Sequence, residues 1–375
     1  MAGIYIHIPF CKQACHYCDF HFSTNMQLKD KMLDAIKQEI ELQGDYLQGE
    51  RIASVYFGGG TPSMLSSADI SDILQKVRGH HSINTDAEIT LEANPDDLSR
   101  EKIIEFKDAG INRLSIGIQS FYDPHLTYMN RAHNATEASQ CVGWAVDAGI
   151  NNLSIDLIYG VPADDHEIWK RDLDMAMSLP VTHISAYCLT IEPDTAFGRW
   201  VAQEKMSEAD EEFTAGQFEI LLDTMSAHGF EQYEISSFCK EGQYSRHNSA
   251  YWQQKKYLGI GPSAHSFNGE TRQFNITSNP KYIKSLEQGK IPSTVEVLSA
   301  IQVANEYLLT SIRTIWGSDL PQLEAAYPGW KAHFMPTIED LLERNLVFID
   351  QGVLKLTQHG KLVADEISLQ LFMDE

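Results

Sequence analysis

Short apolar runs and amphipathic helical patterns alternate from residue 4 to about residue 190, and this alternation constrains the fold more than any other feature of the sequence. Strand, helix and strand at such regular spacing predict an α/β fold with βαβ units and a parallel sheet. Six strands of this kind form either an open doubly wound sheet or part of a (β/α) barrel, and the pattern alone leaves both open. The predicted strands are Ile4–Ile8, Ile52–Phe57, Glu88–Leu91, Arg113–Ile118, Leu153–Ile158 and His183–Leu189, and the predicted helices are Leu28–Leu42, Ala68–Val77, Arg100–Ala109, Thr136–Ala148 and Glu167–Ser178.

The second half of the chain has a different pattern. A long helix is predicted from Glu208 to about His228 and a strand from Phe230 to Ser236, whereas 279–292 has the composition of a connection. Helices, a hairpin and a final helix then predict a small winged-helix-like domain. These last elements are Val297–Ile312, Ser318–Ala326, Thr337–Arg344, a hairpin around Gln351-Gly352, and a helix from Thr357. We therefore expect three parts, at 1–235, 236–292 and 293–375.

Composition excludes several classes of protein. No stretch approaches the roughly 18 apolar residues of a membrane-spanning helix, and the N-terminus has neither the charged region nor the cleavage site of a signal peptide. We therefore expect a cytoplasmic protein. The formal net charge of −23 argues against sequence-independent nucleic-acid binding, which relies on clustered Lys and Arg.

Three of the six cysteines follow the first predicted strand, at the spacing C-x3-C-x2-C: Cys11, Cys15 and Cys18. Three thiolates on one short loop can converge on a single metal centre. They cannot complete a structural zinc site alone, because that site takes four protein ligands. We interpret them as ligands of three irons in a four-iron cluster whose fourth iron is open. A zinc site with a distant fourth ligand is the competing interpretation.

Polar residues and glycines follow the other predicted strands, at the edge of the sheet where function collects in parallel α/β folds. Glycines in the run 58–62 permit close approach of a ligand, although the run is neither a dinucleotide fingerprint nor a P-loop. Each polar residue alone is more often a cap or an ion-pair partner. Together they offer acceptors for ribose hydroxyls and a cation for a carboxylate. The candidates are Gly59, Gly60, Thr61, Glu92, Gln119, Arg131 and Asp156, with Tyr17 packed against the metal centre or in ordinary core.

A second cluster, His-Asn-Ser-Ala-Tyr-Trp at 247–252, precedes a glycine-rich segment that ends at His265. This composition suits a flat aromatic ligand, and neutral imidazole is the commonest ligand of heme iron. A single histidine is more often structural, and that alternative stays open for His247. The sequence has no C-x-x-C-H motif, so we expect no covalent heme attachment.

At these residues the chain resembles the radical S-adenosylmethionine (SAM) superfamily. It is also similar along its whole length to the oxygen-independent coproporphyrinogen III oxidase group, through the segments 5–11, 116–121, 130–131 and 155–162. The resemblance implies a partial (β/α)6 TIM-like radical SAM barrel with a C-terminal helical, winged-helix-like domain. It also implies a [4Fe–4S] cluster on the three cysteines, with SAM chelating the open iron. By matching motif, SAM would be lined by Tyr5, Gly59, Gly60, Thr61, Glu92, Gln119, Arg131 and Asp156.

The sequence departs from the oxidase pattern at two places, Phe20 and the run 247–252. The oxidases continue the motif to C-x3-C-x2-C-x-C, and Phe20 stands where their fourth cysteine would be. The run 247–252 is similar to the His-Asn-x-x-Tyr-Trp signature of HemW-type heme chaperones. The resemblance thus implies a heme carrier with His247 at the heme and no assigned catalytic side chain. Oxidative decarboxylation of coproporphyrinogen III is the alternative, and a radical SAM enzyme acting on RNA bases is disfavoured by the acidic charge.

The same resemblance sets expectations about partners. They are heme as the cargo and recipient hemoproteins, with respiratory-chain enzymes as candidates, and no nucleic acid. Peripheral contact with a membrane through such recipients and a homodimer are further expectations.

Overall fold

Six parallel strands follow one another in sequence order through the centre of the sheet in the computed structural model, which describes residues 1–374. They are β1 (Ala2–Ile8), β2 (Ile52–Gly59), β3 (Ile83–Ala93), β4 (Arg113–Gln119), β5 (Asn152–Tyr159) and β6 (His183–Cys188). Every neighbouring pair is parallel. A doubly wound sheet reverses its strand order at a switch point, whereas this order runs in one direction. The prediction of a partial barrel is confirmed, and the open doubly wound alternative is wrong.

The helices that accompany these strands are α1 (Lys29–Leu42), α2 (Ser67–His80), α3 (Arg100–Asp108), α4 (Asp123–Tyr128), α5 (Ala135–Asp147), α6 (Glu167–Ser178), α7 (Ala196–Ala202) and α8 (Glu211–Ala227). Helices α1 to α6 connect the strands, and α7 and α8 follow the last of them. Helix α1 buries Met32, Ile36 and Ile40, which are four residues apart and form one apolar stripe against the sheet. Helix α2 begins with a capping box between Ser66 and Asp69. Local sequence and core packing thus agree on where these elements lie.

Short strands extend the sheet to twelve strands, in the order β12-β11-β10-β9-β1-β2-β3-β4-β5-β6-β8-β7. The added elements are β7 (Glu231–Glu234), β8 (Ser237–Cys239), α9 (Arg246–Trp252), β9 (Tyr257–Ile260), β10 (His265–Phe267), β11 (Thr271–Asn275), α10 (Asn279–Leu286) and β12 (Ser293–Val297). The strand predicted at 230–236 is present as the shorter β7, which forms a hairpin with β8, a strand that the sequence did not predict. The predicted connection at 279–292 is wrong in its first part, where α10 packs against α1.

A buried carboxylate ties this extension to the barrel. Glu39 of α1 accepts hydrogen bonds from the Gly261 backbone N–H (2.8 Å), from Asn275 Nδ2 (2.7 Å) and from the Tyr282 hydroxyl (2.5 Å). Burial raises the pKa of Glu39 to about 7, although the three donors oppose that shift. The strands β9–β11 are therefore fixed to the same scaffold as the parallel strands.

The C-terminal elements have the order expected of a winged helix. They are α11 (Ala300–Ile312), β13 (Ser318–Asp319), α12 (Leu320–Ala326), α13 (Trp330–Glu343), β14 (Val347–Asp350), β15 (Val353–Leu356), α14 (Gln358–Leu362) and α15 (Ala364–Gln370). The hairpin turns at Gln351 and Gly352, whose φ angles of 51° and 86° suit a two-residue turn of type I′. Helix α13 begins at Trp330 rather than at the predicted Thr337, and it continues through Pro336. Its first turns are held in the core by the buried side chains of Trp330 and Phe334.

Over residues 1–374, no helix combines the length and the apolar character that crossing a bilayer requires.

Candidate functional site

A cavity of about 480 Å³, called the first cavity below, opens where the parallel strands of the barrel end. Its wall includes eleven of the thirteen side chains or glycines that the sequence predicts for the site, and leaves out Tyr5 and His247. The eleven are Cys11, Cys15, Tyr17, Cys18, Gly59, Gly60, Thr61, Glu92, Gln119, Arg131 and Asp156. They come together because the carboxyl ends of successive parallel strands share one edge of the sheet.

The cysteine loop is held in place by the segment that follows α4. Gln13 Nε2 donates to the backbone oxygen and to Oδ1 of Asn130, at 2.9 and 2.8 Å. Asn130 Nδ2 donates in turn to the Ala14 carbonyl at 2.7 Å, and the His16 N–H donates to the Met129 carbonyl at 3.1 Å. Asn130 has a φ of 57°, a left-handed conformation that Asn tolerates better than most residues. The loop is therefore preorganised by contacts within the protein.

The three thiols of this loop are half-buried and free. Burial raises the pKa of Cys11 to about 12 and that of Cys18 to about 11, so both need a positive partner to ionise. Within residues 1–374, no group of three or more His, Cys, Asp or Glu side chains is placed to hold a single metal ion. An iron–sulfur cluster places its thiolates on different irons, so they need not converge on one point. Three accessible thiols on one loop fit that requirement.

Arg131 lies between the cysteine loop and the strand ends. Its Nη1 donates to Cys15 Sγ at 3.4 Å and to the Tyr17 hydroxyl at 3.2 Å. Its Nη2 donates to Asn94 Oδ1 and to the Gly117 carbonyl, both at 2.7 Å. Among the described residues that line the first cavity, Arg131 alone carries a permanent positive charge. All four Nη N–H donors are thus paired within the protein, and the guanidinium fixes a positive charge beside the cysteines, where a carboxylate could replace one of these neutral acceptors.

Two carboxyl groups lie on the wall of the first cavity. Glu92 accepts from the Tyr56 hydroxyl at 2.7 Å and from the Gly59 N–H at 3.2 Å. Burial raises the pKa of Glu92 to about 7 and that of Asp156 to about 6. The negative charge of Asp156 adds to the upward shift of the Glu92 pKa. Carboxyl oxygens on a cavity wall are suitable acceptors for ligand hydroxyl groups.

The glycines of the second strand end are required by strand packing. Gly59 has a φ of 104°, and a Cβ there would lie 2.5 Å from the His7 ring. A Cβ on Gly60 would lie 2.5 Å from the Phe10 carbonyl oxygen and 2.8 Å from that of Ile8. The run thus has the structural role of a tight turn and also brings its backbone to the wall of the first cavity.

We expect Gly60→Ala to lower the free energy of unfolding by about 1–3 kcal/mol, because its methyl group would overlap backbone atoms of β1 and the cysteine loop. Gly79→Ala is the matched control: Gly79 lies near the end of α2, where a Cβ meets nothing within 4 Å. That control should be neutral or slightly stabilising. Chemical denaturation of both variants measures the difference, and equal stability would refute the close approach at Gly60.

Sequence reasoning missed the residues that hold other residues in place. Asn94 accepts from Arg131 and donates to Thr61 Oγ1 at 3.3 Å. Asn130 and Gln13 hold the cysteine loop. The position of Asn94, directly after the third strand, is the signal that could have found it, since polar residues at strand ends recur in this site. Phe20 lines the first cavity and is 73% exposed.

Tyr5 and His247 lie behind the first cavity. The Tyr5 ring stacks on Tyr56, with centroids 6.2 Å apart. The His247 ring also stacks on Tyr56, with centroids 4.9 Å apart. His247 Nδ1 shares a hydrogen bond with Ser54 Oγ at 2.9 Å, and its backbone N–H donates to Glu88 Oε1 at 3.2 Å. Both predicted residues therefore lie in an aromatic column beneath Glu92, in which His247 is buried and Tyr5 is half-buried.

His247 is 2% exposed. Burial, with a smaller effect of Arg113, lowers its pKa to about 3, so the imidazole is neutral. Its Nε2 has no hydrogen-bond partner among residues 1–374. A neutral imidazole with a free nitrogen is the form that binds iron, but the buried ring is closed to a ligand as large as a planar tetrapyrrole. The heme role of His247 stays a prediction.

Comparisons with known proteins complete the description of the site. Residues 5–176 match the family model described as Radical SAM superfamily. The chain is 34% identical to the heme chaperone HemW of Bacillus subtilis, over 98% of each chain. It is 31% identical to the heme chaperone HemW of Escherichia coli, over 100% of this chain and 98% of that one. The solved structure of coproporphyrinogen III oxidase (HemN) from Escherichia coli matches with a TM-score of 0.85 at 23% identity, over 99% of this chain and 90% of the other. At that identity the structural likeness shows a shared fold.

Proposed function

Since this chain belongs to the radical SAM superfamily and, within it, to the HemW family, we propose that it is a heme chaperone that binds heme and delivers it to recipient hemoproteins. The observation that carries the proposal is the likeness to bacterial heme chaperones along almost the entire chain. It extends beyond the barrel, through the segment 247–252 and the C-terminal domain.

The first cavity is the proposed site of a [4Fe–4S] cluster and SAM. Cys11, Cys15 and Cys18 would hold the cluster, and Arg131 would bind the SAM carboxylate. The remaining wall residues would orient the nucleoside, with its ribose hydroxyls on the two carboxyl groups; these are Gly59, Gly60, Thr61, Glu92, Gln119 and Asp156. When bound, the two cofactors supply one-electron chemistry, while the protein positions them and limits access of water.

Phe20 favours a chaperone over a coproporphyrinogen III oxidase. An exposed aromatic side chain at the cavity wall cannot replace a cysteine as a metal ligand or as a thiol. The oxidase remains the second candidate because the fold is shared with HemN. It predicts anaerobic, SAM-dependent conversion of two propionates of coproporphyrinogen III to vinyl groups, whereas the chaperone proposal predicts no such product in a single-turnover assay with reductant.

The proposal extends to partners and location. The recipients would be hemoproteins, with respiratory-chain enzymes as candidates, and the chain would work in the cytoplasm and reach a membrane only through them. A homodimer is part of the same proposal. The net charge of −23 is consistent with a partner other than nucleic acid.

Anaerobic titration of the cluster-loaded protein with hemin tests heme binding. We expect a stoichiometric end point with a Soret change, and weaker binding by His247→Ala than by His359→Ala, which removes an exposed histidine of α14. Absence of saturable binding by the wild type would refute the proposed function. An unchanged affinity and spectrum in His247→Ala would remove only the role of His247.

A further inference from the structure

A second cavity, of about 450 Å³, lies beside the 247–252 segment and outside the barrel. This volume falls in the range of ~300–1,000 Å³ that is usual for sites of small ligands and cofactors. Asn248, Tyr251 and Trp252 line one side of it, at the i, i+3, i+4 spacing of a single helix face. Helix α11 forms the opposite side with the same spacing, and the strands β9–β11 provide the remaining wall. The cavity thus joins the sheet extension to the C-terminal domain.

The strand wall of the second cavity is one face of an antiparallel sheet. Phe267 pairs with Tyr257 on β9 and with Arg272 on β11, and all three line the cavity. His265 precedes Phe267 by two residues and lies on the same face, because side chains alternate along a strand. An imidazole, two aromatic rings and a guanidinium are therefore presented together.

The aromatic part of this wall suits a flat ligand. The rings of Tyr251 and Tyr257 are 4.3 Å apart. The guanidinium of Arg313 lies 4.9 Å from the ring of Trp252, whose buried Nε1 has no hydrogen-bond partner within the described part of the chain. A buried donor without a partner is rare in native proteins, so this indole N–H is a polar group that the described protein atoms leave unsatisfied.

The polar part of the wall fits the iron and the propionates of heme. The His265 side chain is exposed to the second cavity, and burial together with the nearby Arg272 lowers its pKa, so the imidazole is neutral at pH 7. Arg272 is paired with Glu306 of α11. A propionate could take the place of that carboxylate, because guanidinium binds either in the same bidentate manner.

We propose that heme occupies the second cavity, with its iron on His265 and one propionate on Arg272. The proposal rests on the proposed function and specifies where the cargo binds. His247 is then a positioning residue: its ring lies 5.2 Å from that of Tyr251, on the barrel side of α9, and its hydrogen bonds to β2 and β3 hold the helix that forms one cavity wall.

Hemin titration of His265→Gly, compared with the control His359→Gly, tests the iron ligand. We expect at least tenfold weaker binding and a shifted Soret band for His265→Gly only, with unchanged far-ultraviolet circular dichroism. Added imidazole should restore the wild-type spectrum in His265→Gly, because it can enter the space left by the side chain. A merely structural role of His265 would give no such rescue.

Arg272→Gln tests the propionate contact. It should weaken binding of hemin but not of heme dimethyl ester, which has no carboxylates. Saturable wild-type binding together with an unchanged affinity and spectrum in His265→Gly would overturn this inference and leave the proposed function intact. Imidazole rescue of His247→Gly instead of His265→Gly would overturn it as well. Failure of the wild type to bind hemin would refute both.

Discussion

Replacement of Cys15 by alanine should leave the anaerobically reconstituted protein almost without iron and sulfide, whereas the wild type should carry about four of each per chain, the content of a [4Fe–4S] cluster. The reason is that Cys15 is one of three thiols on a loop that Gln13 and Asn130 already hold in place. No other thiol of that loop can replace it. Iron and sulfide analysis, with visible absorption, measures the loss.

Cys188→Ala is the matched control for this prediction. Cys188 is exposed and lines the same cavity, but it lies at the end of β6 and outside the loop. It should keep the full iron content. Zinc in place of iron in the wild type, or equal iron loss in the two variants, would contradict the assignment of the cluster to the loop.

Replacement of Arg131 by alanine should weaken SAM binding on the order of 100-fold. A single hydrogen bond to a charged group is worth about 1.5–3 kcal/mol, and the guanidinium would supply the carboxylate contact in the first cavity. The substitution also leaves Asn94 Oδ1 and the Gly117 carbonyl without their donor. Arg131→Lys should give an intermediate affinity, because it keeps the charge and loses the planar fork.

Lys12→Ala is the control for Arg131→Ala. Lys12 is a cation of the same loop, but it is exposed and pairs with Asp96 at 2.7 Å, so its removal should change SAM affinity little. Anaerobic calorimetry on preparations of equal cluster content measures all three variants. Wild-type affinity in Arg131→Ala would refute the carboxylate assignment.

Much of the barrel was predictable because each parallel strand contains a short, largely apolar and β-rich run and lies between amphipathic helices. The strands from β7 to β12 were not predictable from the sequence, apart from the approximate position of β7. They are short and lie in segments rich in glycine and aromatic residues. Such strands owe their pairing to tertiary contacts, such as those of Glu39, more than to local pattern.

The residues of the first cavity were predictable because they follow the predicted parallel strands, whose carboxyl ends share one edge of the sheet. Tyr5 differs because it lies before the end of β1, in register with Tyr56, and its ring stacks on that residue outside the first cavity. The orientation of His247 was not predictable, because a sequence motif gives the residue types of a short helix but not which of its sides faces a ligand. Here His247 faces the barrel while Tyr251 and Trp252 line the second cavity.

Transfer of heme to an acceptor tests the central proposal most directly. The heme-loaded chain is mixed with an apo-hemoprotein, and difference spectra follow the Soret bands of donor and acceptor over time. We expect the acceptor to gain heme as the chain loses it, faster than hemin exchanges from a non-specific carrier such as albumin. Retention of heme by the wild-type chain, or transfer no faster than from albumin, would contradict the proposed chaperone function.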